Sequence, residues 1–177
     1  NQNSRAECDL QRMAADGVLL SRRLSGGGAV FHDLGNLCFS FISHEKIHNV
    51  TRQLSVIADA CLAFGIDAKA TGRNDVEADG RKFSGNAFYS VGENKCHHGT
   101  VLISANKSRL ANYLTVSKTK LEAKGIKSVR SRVVNLCELV PDITVEAFER
   151  ALIEAFAPDM TLPMPSEALF ADRASFI

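Results

Sequence analysis

The 177-residue sequence has no tryptophan and two tyrosines, so it offers little of the aromatic platform on which a single-stranded nucleic acid stacks. An excess of either charge is also missing. The formal net charge is +1, which removes the electrostatic case for a nucleic-acid or membrane-surface partner. No apolar run is long enough to cross a bilayer, and no signal-peptide pattern opens the given residues. The five cysteines, Cys8, Cys38, Cys61, Cys96 and Cys137, include no C-x-x-C pair, so a zinc site has no support. Cys38 and Cys61 have apolar neighbours and read as small core residues. Odd in number and irregularly spaced, the cysteines fit a reduced, cytoplasmic setting. Neither G-x-G-x-x-G nor G-x-x-x-x-G-K-[ST] occurs, which argues against a dinucleotide-binding Rossmann unit and a P-loop. There is no internal repeat and no low-complexity segment.

What is present suits one globular domain: 45% hydrophobic and 23% charged residues are ordinary proportions, and the length allows a proper core. Residues 8–20 read as a short helix, residues 29–33 and 37–42 as strand. Residues 49–64 form the clearest helix, with Val50, Leu54, Ile57, Cys61 and Phe64 on one face, Asn49 as its cap and Gly65 as its stop. Strands are expected at 66–71, 74–77, 82–91 and 98–104, with turns at Ala78-Asp79-Gly80 and Gly92–Lys95. Further helices are expected at 108–114, 118–124 and 144–156. The last has Thr144 as N-cap and an Ile143/Phe148 hydrophobic staple, and Pro158 ends it. Residues 158–177, with two more prolines, read as a linker or the start of a following segment. The mixture predicts an α+β fold with a mixed, largely antiparallel sheet flanked by helices.

Arg22-Arg23-Leu24-Ser25-Gly26-Gly27-Gly28-Ala29-Val30-Phe31-His32-Asp33 is the densest signal. Glycine lets backbone approach a ligand closely. Successive N–H groups in such a turn converge on an anion, and arginine adds charge-assisted donors for phosphate or carboxylate. The pattern points to a small acyl or phosphate-bearing ligand; a flexible turn beside two solvated arginines is the plainer alternative. Downstream stand Gly72-Arg73-Asn74-Asp75, Arg81-Lys82-Phe83-Ser84-Gly85-Asn86-Ala87 and Cys96-His97-His98-Gly99-Thr100. Ser108–Leu114 and the segment Lys124–Val133 follow.

Together, from the first residue to about Phe156, these motifs resemble the lipoate-protein ligase A family of the biotin/lipoate protein ligase superfamily. The resemblance implies residues 1–157 as a catalytic domain that begins part-way into the family's pattern, with strands before it and a small domain after it. It implies an ATP-dependent enzyme that activates lipoate to lipoyl-AMP and passes the lipoyl group to a lysine of a carrier domain. The carriers would be lipoyl domains of 2-oxoacid dehydrogenase E2 subunits and the glycine-cleavage H protein. It implies Lys82 as the central catalytic cation, touching both the acyl carbonyl and the α-phosphate. ATP would meet Arg22, Arg23, Gly28, Ala29, Val30, Phe31 and Asn74 as well as Lys82. Lipoate would meet Gly26, Gly27, Phe83, Ala87, His98 and Lys82. Asp75 is a candidate Mg²⁺ ligand beside the phosphates, or else part of an Asx-type turn.

Other readings of the same residues are structural. His97 and His98 are adjacent on a strand and point to opposite faces, so they do not ligate one ion together. His32 and Asp33 read as structural, with Asp33–Asn36 as a turn. The basic stretch from Lys118 to Arg132 reads as a solvated face, with docking of an acidic carrier domain as a second reading. The enzymatic rival is an octanoyl or lipoyl transferase that uses a cysteine thioester instead of ATP, with Cys96 as its candidate thiol. A ligand-binding module without turnover is the other.

Overall fold

The structure is a computed structural model that describes residues 3–72, 74–115 and 132–158. The helix expected at 118–124 and the segment from 159 onward lie outside these residues. The elements are α1 (Ser4–Glu7), α2 (Leu10–Ala15), β1 (Asn36–His44), α3 (Val50–Leu62), β2 (Ala68–Thr71), β3 (Asp75–Ala78), β4 (Arg81–Val91), β5 (Asn94–Leu102), α4 (Lys107–Tyr113) and α5 (Val145–Phe156). Short 3₁₀ turns follow β1 and cover Leu136–Glu138.

Helix α3 starts where Asn49 Oδ1 accepts the Arg52 N–H at 2.9 Å, which satisfies one of the orphan donors of the first turn. Its chain turns away through Gly65 at φ +72°, a left-handed value that glycine adopts without strain. Helix α5 repeats the device, with Thr144 Oγ1 accepting from Ala147 at 3.1 Å. Ile143 and Phe148, the expected staple, are both buried.

Five strands form one antiparallel sheet in the order β1-β5-β4-β3-β2. The β3–β4 hairpin turns through Asp79 at φ 51° and Gly80 at φ 66°, the two positive values that a tight two-residue turn needs. Strand β5 starts four residues earlier than expected, because Gly92-Glu93 closes the hairpin directly and Val91 pairs with Asn94. Residues 29–33 are not strand; their polar–apolar alternation belongs to an extended segment beside the sheet.

One irregularity decides what faces where. Val76 pairs with Ser84, but Glu77 pairs with Lys82, so Phe83 is an extra residue, a β-bulge. Phe83 and Ser84 are consequently both buried, and Lys82 is carried to the opposite face. On the core face, α3 and α5 supply Val56, Ile57, Cys61, Phe148 and Leu152 to one cluster with Val76, Phe83, Val101 and Ile103. The other face presents two rows across the sheet: Cys38–Thr100–Gly85–Asp75 and Ser40–His98–Ala87. A second cluster of Cys8, Met13, Phe31, Leu110 and Tyr113 draws α1, α2 and α4 together beside that face.

Candidate active site

Above the two rows lies a cleft of about 480 Å³, roofed by the glycine loop and by Leu114–Thr115. Its floor is made of short side chains, Ser40, Gly85, Ala87 and Thr100, so an extended ligand can lie along the sheet. At one end Lys82 Nζ contacts Asp75 Oδ1 at 2.7 Å, and Arg132 contacts Asp75 Oδ2 at 2.9 Å. Burial alone would raise the Asp75 carboxyl, but the hydrogen bond and charge of Lys82, joined by Arg132, outweigh it and hold the group below the usual carboxylate range. The Lys82 side chain passes over Gly85: a Cβ there would stand 2.9 Å from Nζ and 3.1 Å from Cε. This is the physical content of the Lys-x-Ser-Gly spacing, which gives a bulge, a buried residue and an open place for the lysine chain.

The glycine loop is built around Arg23. Its Nε donates to Ser25 Oγ at 3.1 Å, and its Nη2 donates to the Gly26 and Gly28 carbonyls at 2.7 and 2.9 Å. Gly27, at φ +102°, has no room for a side chain, since a Cβ would lie 2.8 Å from that same Nη2. Opposite, Glu7 Oε2 accepts the Ala29 N–H at 2.7 Å, and it would lie 2.9 Å from a Cβ at Gly28. Arg23 thus gives the loop its shape as well as its charge, and one of the loop amides already holds a carboxylate.

His98 reaches Ser25 Oγ at 2.6 Å and so ties the floor to the loop. Burial, then the Arg23 charge, lowers its pKa, so the ring is neutral at pH 7. His97 faces the core, as strand alternation requires. Cys96 is buried away from the cleft. Cys38, expected in the core, is instead exposed on the cleft floor, 3.5 Å from His32 Nδ1. Its neighbours in sequence are apolar, but its place on an alternating strand decides its face. Although both side chains remain open to solvent, partial desolvation by the cleft walls raises the Cys38 thiol pKa and lowers that of His32.

Most of the expected site residues meet here. Arg23, Gly27, Gly28, Ala29 and Val30 line one wall, and Asn74, Asp75, Lys82, Ala87 and His98 line the floor and its far end. Four do not. Phe83 lies in the core, because the bulge gives its place to Lys82. Phe31 packs on Tyr113 with ring centroids 5.6 Å apart. Arg22 and Gly26 line an adjoining hollow of about 300 Å³ on the other side of the loop. The structure adds Glu7, His32, Cys38, Thr100 and Arg132 to the lining, and Ser25 through its contact with His98. Ser25 and Thr100 sat inside the quoted motifs and Arg132 in the basic stretch, but nothing local to Glu7 or Cys38 marks them.

Asp75 does not fit a preformed magnesium site. Each of its oxygens already holds a cationic side chain, and no group of three or more potential metal ligands occurs among the described residues. No described helix is long and apolar enough to cross a membrane.

Several solved proteins are similar to this chain in fold and sequence. LipL1 of Plasmodium falciparum, solved in complex with lipoate, is 38% identical with a TM-score of 0.78, over 93% of this chain and 47% of that one. A bipartite lipoate protein ligase from Thermoplasma acidophilum, described together with its E2 lipoyl domain, is 29% identical with a TM-score of 0.79, over 98% and 74%. A lipoate-protein ligase A bound with ATP is 26% identical with a TM-score of 0.79, over 98% and 76%. The chain spans about half the length of the first of these relatives. The family profile described as Lipoyl protein ligase A/B catalytic domain matches residues 1–157, and the chain belongs to that family.

Proposed function

We propose that this chain is the adenylating part of an ATP-dependent lipoate–protein ligase. In the first step a carboxylate oxygen of lipoate attacks the α-phosphorus of ATP, and pyrophosphate leaves. In the second, the neutral amine of a carrier-domain lysine attacks the acyl carbonyl, an amide forms and AMP leaves. Both steps build negative charge on oxygens that need a fixed cation nearby. Lys82 is the residue assigned to it. Its amine stands on the cleft side of the bulge, in contact with Asp75, and this placement is the observation that carries the reading. Asp75 and Arg132 keep Lys82 aimed before any substrate arrives, so little reorganisation remains for the reaction. The nucleotide lies toward Asn74, Lys82 and the Gly28–Val30 backbone. The acyl chain runs over Ala87 and His98 under Gly27. Magnesium, if used, enters with the phosphates of the nucleotide.

Relatives carrying lipoate, ATP and a lipoyl domain support the same assignment of substrates and partner. The carriers are taken to be E2 lipoyl domains and the glycine-cleavage H protein, and the setting cytoplasmic. The test is lipoate- and Mg²⁺-dependent exchange of labelled pyrophosphate into ATP by the 177-residue chain. Exchange is expected, and its absence from a folded sample would refute adenylation by this chain.

The transferase alternative has its geometry at Cys38 and His32, not at Cys96. Both members of that pair are shifted away from a thiolate–imidazolium pair, which weighs against a thioester intermediate. Acyl transfer from an octanoyl thioester without ATP, abolished by Cys38→Ser, would reverse the choice.

A further inference from the structure

The core face of the sheet carries a line of polar contacts whose inner members, His97 and Gln53, do not line the cleft, while Asn86 does. His97 has no exposed surface. Its ring lies among Phe88, Phe41 and Phe39, with centroids 4.5, 5.5 and 5.7 Å away. Within that apolar box its Nε2 is 2.8 Å from Asn86 Oδ1, and its Nδ1 is 3.0 Å from Gln53 Oε1. The orientation of Asn86 is fixed by its other partner. Its Nδ2 donates to the Asn74 carbonyl at 3.1 Å, and its backbone N–H donates to the same carbonyl at 2.8 Å. Oδ1 therefore accepts, and His97 Nε2 carries the hydrogen. A neutral ring then has a bare Nδ1, so the Gln53 amide turns its NH₂ toward it. Exchanging the two ends of the amide in this way puts the Gln53 oxygen toward His48 Nδ1, where Gln53 Nε2 lies at 3.5 Å.

An aliphatic side chain would fill this box without leaving donors and acceptors to satisfy. The polar groups instead converge on one backbone carbonyl, that of Asn74. Gly99 makes the approach possible, because a Cβ there would lie 2.8 Å from Asn86 Oδ1. Asn74 stands two residues after a left-handed Gly72 at φ +59° and directly before the four-residue strand β3. Asn74 and Asp75 then line the cleft on the far side.

We propose that His97, closed off from the cleft, is a positioning residue for its nucleotide end: His97 holds Asn86, Asn86 holds the Asn74 carbonyl, and the Asn74–Asp75 turn aligns Lys82. The proposal deepens the reading of Asn74 as a nucleotide contact and rests on it.

The test compares His97→Phe with wild type by calorimetric titration with ATP and, separately, with lipoate. The backbone amide resonances of Asn74 and Asp75 are followed in parallel. ATP binding is expected to weaken roughly tenfold while lipoate binding stays within about twofold, and both resonances are expected to move. His97→Gln, whose Nε2 can still donate to Asn86, is expected to recover part of the loss. ATP affinity equal to wild type, or equal loss for both ligands, would overturn the proposal. If His97→Phe fails to fold, Asn86→Ser, which cuts the link to the Asn74 carbonyl, is judged by the Asn74 and Asp75 resonances alone, because Asn86 itself lines the cleft: unmoved, they overturn the proposal; moved, they uphold it. If the wild type binds no ATP, the nucleotide reading fails and the resonances alone decide: unmoved, they overturn the relay; moved, they uphold it.

Discussion

At the scale of single residues, three glycines separate chemistry from stability. Gly85 faces the flexible end of Lys82, so Gly85→Ala is expected to displace the amine and cut pyrophosphate exchange, with little change in thermal midpoint. A Cβ at Gly99 would meet Phe39 Cζ at 2.6 Å and Gly85 O at 2.8 Å. A Cβ at Gly35 would meet the backbone of Ser104 and Ala105 at 2.4–2.5 Å. Backbone cannot step aside, so alanine at Gly35 is expected to cost about 1–3 kcal/mol or more in urea unfolding. Equal thermal loss in the Gly85 and Gly35 variants would show that both sites are merely crowded. Lys82→Ala is expected to fold and to lose exchange by roughly 10²–10³-fold; full exchange in that variant would remove Lys82 from the mechanism. The motif residues announced Lys82 because lysine, serine and glycine each leave a local mark. Glu7 left none: its partner amide on Ala29 lies 22 residues along the chain, a contact that only the folded molecule makes.

At the scale of elements, caps and periodicity carried far. Asn49, Thr144 and the Ile143/Phe148 staple occupy the places that their local chemistry dictates. Phe148 has no exposed surface and stacks on Phe64 at 6.0 Å, so it joins α5 to the end of α3. Phe148→Ala is expected to destabilise the domain by about 3–5 kcal/mol, read as a drop in the urea midpoint; a loss below about 1 kcal/mol would mean that α5 is only loosely docked. Element faces were less legible than element positions. Strict alternation from Ser84 would send Phe83 to the cleft and Lys82 to the core, and the bulge reverses both. Cys38 shows the same point on β1, where composition suggested core and strand parity gave cleft.

For the whole molecule, the order of the five strands is a long-range fact that no local pattern carries, and only the family resemblance put loop and floor residues in one site in advance. One global consequence is acid sensitivity. Burial pushes His97 down to about 4, with the His48 and His98 charges adding to the shift, whereas a histidine in the unfolded chain titrates near 6.5. Between those values the unfolded state binds the extra proton, so stability rises with pH across the window and is lost as pH falls through it. The loss is on the order of 3 kcal/mol at most from this ring. Burial also lowers His98 and His32, which act in the same direction. Urea midpoints at pH 7 and pH 4.5 should differ clearly in wild type and less in His97→Gln. Equal midpoints in wild type would mean that the ring titrates normally.

The extra residue in β4 also bears on how this strand tolerates editing. A strand counts in twos, and Phe83 is the odd member of the count. Deleting Phe83 makes Lys82 the direct neighbour of Ser84, so plain alternation keeps the amine over the cleft while the core loses an aromatic anchor. Inserting one residue between Phe83 and Ser84 also restores alternation: Phe83 and Ser84 keep the core, the new side chain faces the cleft, and so does the amine. The two edits share a parity and differ in what they cost: the deletion falls mainly on stability, the insertion on the cleft floor that the new side chain enters.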